Sequence, residues 1–145
     1  MSRNGRTGIR ATLGAWLLLA GRALAPAAEP TIAPMPPAPA QLLDGRTYIG
    51  HVGEKGRSSG DEDTLRFAAG RFHSSACDAY GFGAAPYTAE QHGDSFTFTA
   101  ETVSEKEGHM RWTGTIRTHQ LEGTVVWTKP GQTPVEYWIK AELTH

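Results

Sequence analysis

The residues best suited to chemistry stand close together. His73, Ser75 and Cys77 alternate, Asp78 follows directly, and Tyr80, Phe82 and Tyr87 come next among Gly81, Gly83 and Pro86. A thiolate beside an imidazole is a nucleophile pair, because a nearby imidazolium lowers the thiol pKa. The same two side chains could supply two ligands to a soft metal such as Cu(I) or Zn. Strand geometry opposes both uses. At a rise of about 3.3 Å per residue, positions i and i+4 lie about 13 Å apart. The imidazole and thiol meet only if the chain bends, with Asp78 then orienting the ring. Cys77 is also the sole cysteine, so it has no intrachain disulfide partner. Burial as a small hydrophobe is the common fate of such a residue; a purposeful free thiol and a bond to a second chain are the alternatives.

Elsewhere the chemistry is thin. His51, His92, His109, His119 and His145 are scattered without ligand spacing. Glu105 and Glu107 fall in a charged turn, and no phosphate loop or paired carboxylate motif is present. No cofactor is implied. The aromatic residues say more. Glycines free the backbone to take an unusual path, so Tyr80, Phe82 and Tyr87 could plug or line one end of a fold, with Cys77 near that end. Trp112 and Trp127 alternate inward with Phe96, Phe98, Tyr137 and Ile139, and either line a cavity or fill a narrow lumen. Trp138 has the opposite parity and, with Val126, is a candidate surface for a protein partner or a homodimer.

These residues need a scaffold, and the sequence spells one of strands. Phe96, Phe98 and Ala100 alternate with Thr97, Thr99 and Glu101, the period of a half-buried strand. The same pattern runs through 110–117, 121–128 and 135–143. Shorter strands are predicted over 47–52, 64–68, 71–77 and 87–91, with a polar loop over 53–63. Eight strands with short connections fit an all-β, antiparallel up-and-down barrel, which leaves no exposed edge. A two-sheet β-sandwich is the alternative.

The front of the chain has a different character. Arg3, Arg6 and Arg10 precede an apolar run over 11–21, and Ala23-Leu24-Ala25 fits a cleavage site. This marks residues 1–25 as a signal peptide, with an uncleaved anchor as the alternative. The run falls short of the roughly 20 apolar residues that span a bilayer. No cysteine at the boundary supports lipid anchoring, and no twin arginine precedes the run. Residues 26–41, with Pro26, Pro30, Pro34, Pro36, Pro37 and Pro39, read as an extended linker. Residues 42–145 are the β-barrel domain. Beyond residue 25, ten Lys and Arg face fifteen Asp and Glu, a formal charge of −5. That balance argues against nucleic acid and anionic lipid surfaces as partners.

Two likenesses follow from these residues. The Leu43-Asp44-Gly45-Arg46-Thr47-Tyr48 opening and the series of Thr- and Trp-bearing hairpins resemble the calycin group of lipocalin and avidin-like barrels. The group's Gly-x-Trp signature is absent: Gly45-Arg46-Thr47 has no tryptophan. No ligand-binding residue is carried over. More closely, residues 43–143 resemble small exported proteins of Gram-negative bacteria that lack a settled activity. The shared features are Cys77-Asp78-x-Tyr80-Gly81-Phe82 and an ending from Glu122–Trp127 to Tyr137-Trp138. This likeness implies location and fold.

The expectation is a periplasmic or secreted barrel, not stably inserted in a membrane after processing. It binds a small apolar or amphipathic molecule, or a partner, without catalysis. One alternative is a solid-cored envelope protein acting through protein contacts. Another is a thiol- or metal-dependent activity at Cys77. If the leader is removed, N-terminal sequencing of exported protein should start at Pro26 or Glu29; a start at Met1 or Ser2 would mean that the segment is retained.

Overall fold

The computed structural model describes residues 41–144. The expected leader and nearly all of the expected linker lie outside the described residues. Eight strands follow in order: β1 Thr47–Glu54, β2 Asp61–Ala68, β3 Arg71–Ser74, β4 Ala85–His92, β5 Ser95–Ser104, β6 Gly108–Arg117, β7 Gln120–Thr128 and β8 Val135–Leu143. Each pairs antiparallel with its sequence neighbours, and β1 pairs with β8, from Tyr48 opposite Leu143 to Glu54 opposite Tyr137. The sheet is therefore a closed up-and-down barrel and not a sandwich. No described helix is long and apolar enough to cross a membrane.

Alternation fixes what enters the lumen, since successive strand side chains point to opposite faces. One half of the barrel is packed with rings. Phe67 lies at its centre, with ring centroids 5.0 Å from Tyr87, 5.0 Å from Phe98, 5.3 Å from Phe72 and 6.1 Å from Tyr48. Most of these contacts are edge-to-face or tilted, the arrangement that aromatic quadrupoles favour. Leu65, Ile116, Leu121, Ile139 and Leu43 are fully buried as well. Gly114 makes room for the Phe98 ring, which a Cβ there would overlap. The lumen at this level is solid because small and large side chains interlock.

The same end is closed by the segment before β1. The Tyr87 hydroxyl accepts from Leu43 N at 3.0 Å and donates to Asp44 Oδ1 at 2.7 Å. The Asp44 carboxylate also accepts from Gly70 N. Gly45 N–H donates to Phe67 O, and Phe67 N–H to Arg46 O. Arg46 then lays its guanidinium 4.5 Å above the Phe96 ring, a cation–π contact.

The weakest seam joins β3 to β4. β3 has four residues, and only Arg71–Pro86 and Phe72–Ala85 are in register across the seam. Pro86 brings no N–H to it. The sequence reading carried this strand on to Cys77; the chain instead leaves the wall after Ser74.

Two tyrosines in the packed half have opposite hydrogen-bonding positions. The Tyr48 hydroxyl is buried with no partner in hydrogen-bond geometry, although the Arg46 side chain lies near it, whereas Tyr87 makes two bonds. Removing an unmade polar group should cost nothing, and removing a made one exposes its partners to a desolvation penalty. Tyr48→Phe should leave denaturant stability unchanged or raised. Tyr87→Phe should lower it by about 1–3 kcal/mol. The reverse order in urea unfolding would contradict this account of the closed end.

Candidate functional site

The other end of the barrel is built around a buried acid. Asp63 sits on β2 with the inward parity of Leu65 and Phe67 and is 2 % exposed. Its Oδ2 accepts from Ser74 Oγ at 2.6 Å; its Oδ1 accepts from Ser75 Oγ at 3.2 Å and from Ala76 N at 2.9 Å. Ser75 Oγ also accepts from Thr64 N. These bonds draw residues 74–76 toward β2 and end β3. The chain then makes a single 3-10 turn over Asp78–Tyr80, closed by Gly81 at φ +80°, a conformation suited to glycine. Ser104 at the end of β5 clasps this turn, its Oγ donating to Tyr80 O at 2.8 Å and accepting from Glu107 N at 3.2 Å.

The turn arches over a cavity of about 270 Å³. Its walls are Val52, Phe82, Met110, Trp112, Val125, Trp127 and Tyr137, with Cys77 and Ala76 from the arch and Tyr80 at the rim. Trp112 and Trp127 are held rigidly. The Trp112 indole N–H donates to Thr102 Oγ1 at 3.0 Å, and that of Trp127 to Glu107 O at 2.6 Å. The charged groups in the lining are Asp61 and Asp63 from β2 and Glu107 from the β5–β6 turn. Glu107 is already engaged by Lys129 Nζ at 3.0 Å. Burial raises the Tyr137 phenol pKa, with Glu54 reinforcing the effect.

The sequence-predicted residues divide between four places. Cys77, Tyr80, Phe82, Trp112 and Trp127 meet at the cavity. Tyr87 belongs to the same buried core but carries its hydroxyl to the opposite, closed end, away from the cavity. His73 points away from the lumen, and its Nε2 lies 2.6 Å from Asp78 Oδ1. Because β3 stops at Ser74, the expected shared face of His73, Ser75 and Cys77 does not form; the bend gives His73 to Asp78 instead. Trp138 is half-buried against its own chain. Its ring covers Gly53, where a Cβ would overlap it, and its N–H donates to Arg57 O at 2.9 Å. It therefore braces the β1–β2 loop, and the indole donor is not free for a partner. Asp61, Asp63, Met110, Val52 and Val125 were not singled out from sequence. Extending the alternation of Leu65 and Phe67 back through Asp63 and Asp61 would have found the two acids.

Cys77 is 8 % exposed, and its thiol donates to Met110 Sδ at 3.6 Å. Burial pushes its pKa up to about 11, with the Asp63 and Asp78 carboxylates adding to the rise. A thiol so placed is neutral at physiological pH, the reverse of what activates a nucleophile. Among the described residues no three His, Cys, Asp or Glu come together as a metal site. A pKa raised in the fold contributes stability that is complete below the unfolded value of 9.0 and is lost as pH climbs through about 11. Denaturant stability should fall across that interval, and Cys77→Ala should flatten the fall. An equal fall in both proteins would assign it to the tyrosines.

The barrel shares the calycin-like architecture in its strand order and closure. No protein-family model, curated protein or solved structure matches the chain, so the residues of the cavity are the basis for any reading of function.

Proposed function

We propose that the chain is a non-catalytic binding protein that takes a small apolar or amphipathic molecule into the open end of its barrel. The observation that carries this reading is the half-filled lumen. Phe67 and its neighbours make one half solid, yet the other half keeps a void of about 270 Å³ lined by two hydrogen-bonded tryptophans. Side chains could have filled it at little cost; an unfilled apolar void forfeits dispersion contacts. Concave, mostly apolar pockets with a few convergent polar groups are the usual form of small-molecule sites. The volume lies just under the range of about 300–1,000 Å³ common for drug-sized ligands, which favours an occupant with one ring or a short chain.

The alternatives have less support. A protein-contact role centred on Trp138 would have to use a ring already committed to Gly53 and Arg57. A thiol activity would have to use a sulfur that is neutral and bonded to Met110. We place the protein in the periplasm or outside the cell, on the strength of its Arg3-to-Ala25 segment.

Trp112 and Trp127 make binding visible by intrinsic fluorescence. 2-Phenylethanol, a neutral one-ring probe, should saturate and shift the tryptophan emission. Val52→Phe, which puts a ring into the void, should weaken that binding at least about tenfold while leaving the folded circular dichroism spectrum intact. Equal binding by the variant would remove the cavity as the site.

A further inference from the structure

We infer that the cavity selects organic cations: a primary ammonium or guanidinium carried on a small aromatic or aliphatic body. This rests on the binding reading above and adds the charge of the ligand. The polar part of the cavity wall has one sign. Asp61, Asp63 and Glu107 line it, and no Lys, Arg or His among the described residues does. Lys129 neutralises Glu107, which leaves the Asp61–Asp63 side as the uncompensated one.

Asp63 is the decisive group. A carboxylate excluded from water normally has a cation beside it, because burying an unpaired charge is costly. Among the described residues no Lys, Arg or His pairs with Asp63. Its partners are two hydroxyls and one amide N–H, all neutral. A carboxylate offers about four acceptor positions. Oδ1 takes two of these donors and Oδ2 takes one, which leaves an acceptor position on Oδ2. A cationic head reaching Asp63 past Asp61 would supply both the missing charge and the missing donor. The rest of such a ligand would lie among Trp112, Trp127, Tyr137 and Phe82. Indole and phenol faces are themselves attractive to cations. The site therefore suits both halves of an amine with an apolar body, and it disfavours carboxylates of the same shape.

The test compares three molecules of one shape: 2-phenylethylamine, charged at neutral pH, 2-phenylethanol, and 3-phenylpropanoate. Each is titrated by tryptophan fluorescence and by calorimetry against the full protein, Val52→Phe, Asp63→Asn and Asp61→Asn. A hydrogen bond to a charged group is worth more than a neutral one by enough for a roughly tenfold preference. The expected result is the amine tightest by at least about tenfold over the alcohol, with the carboxylate weakest. Asp63→Asn keeps the shape of the side chain and should reduce the preference of amine over alcohol to within about threefold, leaving alcohol affinity in place. Asp61→Asn, at an exposed position, should weaken only the amine and guards against a folding defect in the first variant. If the alcohol binds in a Val52-sensitive way as tightly as the amine, the charge selectivity is wrong and the binding reading stands. If none of the three binds, or none responds to Val52→Phe, both fall.

Discussion

A single buried carboxylate determines the shape of the open half of this barrel. Asp63 draws in Ser74, Ser75 and the Ala76 amide, and in doing so it ends β3 after four residues. The wall would otherwise continue upward as a regular strand. Instead the chain turns inward across the mouth, carries Cys77 beneath an arch and sets Phe82 into the wall. The arch, the orientation of the thiol and the His73–Asp78 pair all follow from that early termination. The acid that shapes the arch is also part of the cavity lining.

The two ends of the barrel solve the lumen problem in opposite ways. At the closed end, rings interlock around Phe67, and the Leu43–Arg46 segment seals the opening through Asp44 and Tyr87. At the open end, rings line a space and leave it unfilled. The solid half gives the open half a floor: the Trp112 ring packs at a tilt against Phe72, 4.9 Å between centroids, and also borders the cavity. Side-chain packing is dense at the closed end, and the mouth is left underpacked. Small barrels usually fill their interior with side chains or leave room for one small ligand, and here a filled level and an open one are stacked along one axis.

The fold was legible because its signal is periodic. The alternations in 95–102, 110–117, 121–128 and 135–143 are strong, and each lies within a strand of the structure. The inward parity of Trp112, Trp127 and Tyr137 could be read the same way. What could not be read was the point where periodicity stops. Residues 71–77 look like a continuing strand; only a carboxylate eleven residues earlier, hydrogen-bonded to Ser74, tells them to leave it. Asp63 itself was hidden by its neighbours, since Asp61-Glu62-Asp63 beside a Gly- and Ser-rich run reads as a solvated loop. Tyr87 and Tyr80 looked equivalent by composition and went to opposite ends. Trp138 had the right parity for an outward residue, but the vacancy at Gly53 that its ring occupies is a cross-strand fact no local pattern contains.

The closure of the barrel has a consequence for how the chain reaches this state. Seven of its seams join strands adjacent in sequence and form as local hairpins or meanders. The eighth, between β1 and β8, links positions as far as 97 residues apart, where Thr144 donates to Thr47 O. Ordering so long a loop carries an entropic cost that must be met before the contacts are gained. Until then β1 and β8 are two bare edges, each able to template another chain. Closing this seam carries the largest loop-entropy cost of the eight, and it is the pairing that leaves the sheet without a bare edge.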